Sequence, residues 1–176
     1  DSQSGTAHTD IVVVGNPFMG IESAARRRDL TVNAIAYDPL TDEYQDFFGG
    51  IHDIKRGQLQ AVDSTTFAED PLRALRVIQF AARFGFSVHD DLAALCRRME
   101  LYALPSERIW GELEKLLVKA PVPSIGWSLL HTLEIVDKLF PELINSPVDP
   151  IGTALDRAAG QRAAMGSSGR AIALML

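Results

Sequence analysis

The stretch FAEDPLRALR, Phe67 to Arg76, divides the chain. Upstream of it lie short β-rich runs broken by turns; downstream, amphipathic helices follow one another. Pro71 suits the first position of a helix, and Asp70 before it is a ready N-cap. Thr66 with Glu69 three residues later also resembles a capping box, and the two cannot both begin the helix. Under either start the acids are structural. The spacing has a second reading. Asp70 and Arg73 are three apart, so a helical turn brings them to one side. A carboxylate accepts hydrogen bonds and a guanidinium donates them. The pair therefore offers an edge complementary to that of a nucleobase: Arg73 donating to a ring nitrogen or carbonyl, Asp70 accepting from an exocyclic amino group. Arg76 and Arg83 extend a basic stripe along the same helix.

Downstream, helical spacing predicts helices over Asp70 to Phe84, His89 to Glu100, Ser106 to Lys119, Ile125 to Leu130 and His131 to Phe140, and one from Ile151 onward. Ser106 is the expected N-cap of the third, with Leu113, Leu116 and Leu117 on its apolar side. Glu107 and Arg108 read as cap and surface charges, and Trp110 as core. Upstream, DSQSGTAHT reads as a loop and DIVVVG as a strand. GIESAARRR is a short helix. LTVNAIAYD alternates like a strand, DPLTD turns, EYQDFF returns as an antiparallel partner, IHDIKRG is a helical turn and QLQAVD a last strand. The expected fold is α+β: a small antiparallel or mixed sheet, then a stack of helices.

The 176 residues are 47% apolar and 23% charged, with a formal net charge of -6. That is ordinary for a globular protein and does not suggest a dedicated nucleic-acid binder, although a local basic patch can coexist with such a sum. The one cysteine, Cys96, cannot form an internal disulfide, which fits a reducing cytoplasmic setting; it reads as a packed thiol. No apolar run reaches the roughly 18 residues of a membrane span, and no signal peptide is expected. The absent initiator methionine and the final AIALML suggest part of a longer protein.

Two further constellations bear on chemistry. In ARRRDLTVNA, Ala25 to Ala34, three arginines precede an aspartate and an asparagine. Guanidinium forks suit phosphate. Read as a strand, the segment places Asp29, Thr31 and Asn33 on one face, a platform for ribose and triphosphate. The plainer reading is a solvated helix end with arginines favouring the dipole. In QDFFGGIHDIKRG, Gly49 and Gly50 fit a tight bend. The His52-Asp53 and His89-Asp90 pairs lack the further ligands a metal site needs.

Taken in order, RRDLTVNAIAYDP (Arg27 to Pro39), DFFGGIHDIKRG (Asp46 to Gly57) and EDPLRALR (Glu69 to Arg76) with FAARFGF resemble the second, third and fourth motifs of the class II tRNA nucleotidyltransferases, the CCA-adding enzymes and their bacterial poly(A) polymerase relatives. ERIWGELEKLL (Glu107 to Leu117) and LFPEL (Leu139 to Leu143) resemble the neck beyond. Leu30, Val32, Phe47 and Phe48 depart mildly from the pattern.

The resemblance implies a partial nucleotidyltransferase head over residues 1–65, an all-α neck over 66–143 and the start of a helical body over 144–176. It implies that Asp70 and Arg73 pair with the base of incoming CTP or ATP, with Glu69 positioning Arg73. Arg28 and Asp29, with Asn33 and Arg76, would bind the nucleotide. Gly49, Gly50, Asp46 and Asp53 match a hinge, and Asp1 to Thr9 a loop tied to the change from C to A addition. The family's first motif, a glycine-rich stretch and a DxD carboxylate pair that holds Mg2+, would lie upstream of Asp1. The chain alone is therefore expected to be inactive, and the whole protein to add CMP and AMP to the tRNA 3′ end. A poly(A) polymerase, a CC- or A-adding relative, and a nucleotide- or RNA-binding module without catalysis remain as alternatives.

Overall fold

The structure, a computed structural model, describes residues 20–165. The expected loop at Asp1 to Thr9 and the expected strand from Asp10 lie outside the described residues.

The fold is α+β, with β structure confined to two small pairs. Helix α1 (Ile21–Arg26) leads into a 3-10 turn at Thr31–Asn33, then strand β1 (Ala36–Asp38) and strand β2 (Glu43–Gln45). These two pair antiparallel, Tyr37 opposite Tyr44, as the alternation upstream and downstream of DPLTD predicts. Helix α2 (Gly50–Arg56) and strand β3 (Gln58–Leu59) follow. Strand β3 pairs in parallel with strand β4 (Ser87–Val88), which lies 29 positions further along the chain by register, Gln58 opposite Ser87. Leu30 bridges Ala61 antiparallel.

The strand expected over Leu30 to Asp38 is therefore only half present. Its first half folds into the 3-10 turn because Asp29 offers a closer partner than any strand. The Asp29 carboxylate accepts from the Leu30 amide at 2.9 Å and from Asn33 Nδ2 at 3.1 Å. Such local side-chain bonds compete with a β ladder. The expected strand QLQAVD shortens to Gln58–Leu59 for want of a longer partner.

The helical part opens with α3 (Ser64–Ala68), which periodicity did not reveal because it is a single turn. Its N-cap is Asp63, which accepts from the Thr66 amide at 2.8 Å; the Thr66–Glu69 capping box does not form. Helix α4 (Leu72–Phe84) then begins behind Pro71, with Asp70 accepting from the Leu72 amide at 3.1 Å. Helix α5 (Asp90–Arg97) is capped by His89, whose Nδ1 accepts from the Asp91 amide. Helix α6 spans Ser106–Lys119 as expected, although Ser106 makes no capping bond and Pro105 precedes it. Helices α7 (Pro123–Thr132) and α8 (Val136–Leu139) are parted at Glu134, whose φ of 57° breaks the helical path. Helix α9 (Val148–Met165) ends the described chain.

Helix α4 is the hub. It packs on α6 and α7, and α7 packs on α9. Ala74, Leu75, Val77, Ile78, Ala81 and Ala82 of α4 are buried with Phe67, Leu92, Cys96 and Leu101 around them. Burial pushes the Cys96 thiol up to about 12, so it is a packed side chain and not a nucleophile. Trp110 departs from expectation: it is 51% exposed on α6, while Trp127 of α7 is buried with its ring edge-on to His131, 4.6 Å between centroids. No helix among the described residues is long and apolar enough to cross a membrane.

Candidate nucleotide-binding site

The three charged segments singled out in the sequence converge where the turn after α1 meets the start of α4. From the α4 side, Arg73 and Arg76 reach across. Arg73 donates through Nη1 to the Thr66 carbonyl at 2.5 Å and through Nη2 to the Arg27 carbonyl at 3.2 Å. Arg76 donates through Nε to Asp29 Oδ2 at 2.6 Å, and its guanidinium lies over the Phe80 ring. The Arg73–Arg27 and Arg76–Asp29 contacts each span more than 40 residues of sequence, so α4 and the Arg27–Asp29 segment are tied together at two points.

Asp29 is buried, 6% exposed, with both oxygens engaged. Burial pushes its carboxyl pKa up; the Arg76 charge, the Arg76 and Asn33 side-chain bonds and the Leu30 amide together outweigh this and hold it below the ordinary carboxylate range. In this arrangement Asp29 and Arg76 form a strut. Arg28 differs: its side chain is exposed and has no hydrogen bond or ion pair among the described residues. Arg26 pairs with Glu22 at 3.2 Å and lies over the Phe48 ring.

The double glycine sits on the far side of the same 3-10 turn. Gly49 has φ 78°, a left-handed conformation that favours glycine. A Cβ on Gly50 would fall 2.2 Å from the Thr31 carbonyl oxygen, so the helix start can approach the turn only without a side chain there. Asp46 caps α2 from outside, accepting from the Gly50 and Ile51 amides at 2.8 and 2.9 Å. Desolvation raises the Asp46 carboxyl pKa, but these backbone bonds prevail and lower it. Asp53 is buried and accepts from Thr31 Oγ1 at 2.6 Å and Gln60 Nε2 at 3.0 Å. The turn at Thr31–Asn33 is thus gripped from both sides, by Asp29 on one and by Asp53 and Gly50 on the other.

Asp70 and Arg73 lie on the same seam, half-buried, and are not bonded to each other through their side chains. Asp70 Oδ2 accepts from Arg108 Nη2 of α6 at 2.8 Å. Glu69 is exposed, and its side chain has no partner among the described residues; the positioning of Arg73 falls to two carbonyls instead. Arg108, read from the sequence as a cap or surface charge, is instead the ion-pair partner of Asp70. Its partner lies 38 positions away, and no periodicity links them. Among the described residues no three His, Cys, Asp or Glu side chains gather to hold a metal ion.

The family model described as the Poly A polymerase head domain matches residues 4–60, and the one described as the probable RNA and SrmB-binding site of polymerase A matches residues 85–146. The Multifunctional CCA protein of Pasteurella multocida (strain Pm70) is 39% identical over 150 residues, covering 81% of this chain and 35% of that protein. That of Haemophilus ducreyi is 41% identical over 150 residues, covering 81% and 36%. The chain thus spans about a third of the length of these relatives. Among solved structures, a CCA-adding enzyme in complex with CTP shares 31% identity at a TM-score of 0.65, covering 72% of this chain and 32% of that one. The Thermotoga maritima CCA-adding enzyme complexed with tRNA shares 32% at 0.63, covering 69% and 31%. Segments on both sides of the seam match the same kind of protein, and the chain belongs to the class II tRNA nucleotidyltransferase family of CCA-adding enzymes and bacterial poly(A) polymerases.

Proposed function

We propose that the whole protein adds CMP and AMP from CTP and ATP to the tRNA 3′ end, releasing pyrophosphate, and that this chain supplies the surface that reads the base. The relatives' names and the CTP, ATP and tRNA complexes of similar enzymes support it. The observation that carries it is the state of Arg73. Two backbone carbonyls anchor its guanidinium, leaving three of its five N–H donors free for a base. Asp70 is likewise held but keeps lone pairs to accept an exocyclic amino group. Exposed Arg28 suits the triphosphate. Asp29, Asn33 and Arg76 act at the nucleotide site by fixing the wall behind it. Gly49, Gly50, Asp46 and Asp53 form the hinge between a head over 1–65 and a neck over 66–143, with 144–176 opening the body.

Phosphoryl transfer in this family is expected to use Mg2+, which polarises the attacked phosphate. The described side chains do not fit such a site. Its carboxylates belong to a part of the protein other than the base-reading surface described here. A cytoplasmic setting agrees with tRNA as substrate.

The test is nucleotide competition in the full-length protein. Arg73→Ala lowers discrimination of CTP and ATP against UTP and GTP by roughly 10- to 100-fold, the size of a lost charge-assisted hydrogen bond. Arg28→Ala weakens all four nucleotides alike. Unchanged selectivity in the Arg73 variant sinks the template role. The poly(A) polymerase head description favours a second reading, poly(A) synthesis. Product length on a tRNA lacking its CCA end separates the two: three added nucleotides for the first, a longer A tract for the second.

A further inference from the structure

Arg108 lies on α6, outside the segments to which the template role is assigned, yet it makes the only side-chain ion pair to Asp70 among the described residues. The pair is 2.8 Å long and half exposed, 46% at Arg108 and 34% at Asp70, so solvent and a ligand can reach it. The other Asp70 oxygen is fixed by the Leu72 amide at 3.1 Å. The carboxylate is thereby pinned at both ends, and its plane is set by two elements at once: the start of α4 and the first turn of α6. Free of Arg108, the carboxylate could turn about its Cβ–Cγ bond and present either oxygen, or neither, to a base.

We propose that Arg108 is a positioning residue for base selection: it orients Asp70 so that one carboxylate lone pair faces the exocyclic amino group of cytosine or adenine. This rests on the template reading of Asp70 and Arg73. At the edge position where cytosine and adenine carry that amino group, uracil and guanine carry a carbonyl oxygen, so they gain nothing from an oriented Asp70. The effect of Arg108 is therefore confined to CTP and ATP.

The experiment measures equilibrium binding of each of the four nucleoside triphosphates to the full-length protein by calorimetry, for the parent, Arg108→Met, Arg108→Lys and Arg73→Ala. Arg108→Met keeps the stem and removes the charge. The expected result is a threefold to fivefold loss of affinity for CTP and ATP, about what an exposed ion pair supports, with UTP and GTP unchanged. Arg108→Lys recovers part of the loss, since an ammonium still reaches Asp70 without the fork geometry. Because Arg108 is exposed, the thermal midpoints of Arg108→Met and Arg108→Lys stay level with the parent, which separates orientation from folding. An equal loss for all four nucleotides, or no loss, in Arg108→Met while Arg73→Ala does lose selectivity overturns the role of Arg108 and leaves the template reading standing. Selectivity unmoved by either substitution overturns both.

Discussion

The two halves of the molecule are held together by different forces. From α4 onward, stability comes from apolar burial: Val77, Ile78, Leu92, Leu101, Leu133 and Ile135 are all sealed from solvent in one contiguous cluster. Between α1 and β3 the strands are two or three residues long, and the buried side chains include three polar ones, Asp29, Thr31 and Asp53, beside Leu30 and Leu59, which join the apolar cluster. Here side-chain hydrogen bonds add to the little packing that Leu30 and Leu59 supply. A polar seam is directional and can be remade by a small rotation, whereas an apolar core tolerates little change of shape. The contrast agrees with the hinge proposed at Gly49 and Gly50.

Three substitutions break or sharpen that contrast. The largest effect belongs to the core: Ile78→Ala leaves a cavity beneath α4 and lowers unfolding free energy by about 2–5 kcal/mol, read from urea denaturation. Next is the polar seam. Asp53→Ala strands the Thr31 hydroxyl and the Gln60 amide, and costs about 1–3 kcal/mol; its mark is faster hydrogen exchange at the Thr31–Asn33 turn with the α4 amides unchanged. If α4 exchange rises equally, the halves are one cooperative unit and the contrast fails. The smallest is Asp29→Asn, about 1 kcal/mol at neutral pH. Its pH dependence is the sharper readout. The folded-state pKa of Asp29 is lowered, so its contribution is complete above the unfolded carboxylate value near 3.9 and disappears as pH falls through the lower folded value. Thermal midpoints of the parent should drop more steeply than those of Asp29→Asn below about pH 4. Parallel acid limbs would show that the strut to Arg76 carries no charge-dependent stability.

The helices were legible in the sequence because their signal is local. The apolar period of SERIWGELEKLLVK sets α6 at Ser106–Lys119, and Pro71 marks the entrance to α4. The head is less legible. LTVNA alternates like a strand, but Asp29 captures Leu30 and Asn33 and curls the chain before a partner strand can pair with it. The charged residues were picked out and their convergence was not: spacing brings Asp70 and Arg73 to one helical side, while the bonds they make go to Arg27, Thr66 and Arg108, at distances along the chain that no period encodes. Trp110 was misplaced for a related reason. It lines an apolar groove with Leu113, Leu117, Phe140 and Leu143 and stays half exposed there.

The tryptophans and two of the three tyrosines divide along the same line, Tyr102 being the exception in the helical part. Both tryptophans of the chain, Trp110 and Trp127, stand on α6 and α7, while Tyr37 and Tyr44 face each other across the β1–β2 hairpin with ring centroids 5.1 Å apart. Emission excited at the red edge of the absorption band therefore reports on the helical stack alone, and phenol emission is weighted toward the hairpin. The molecule carries its own pair of optical probes, one on each side of the seam, with no label attached.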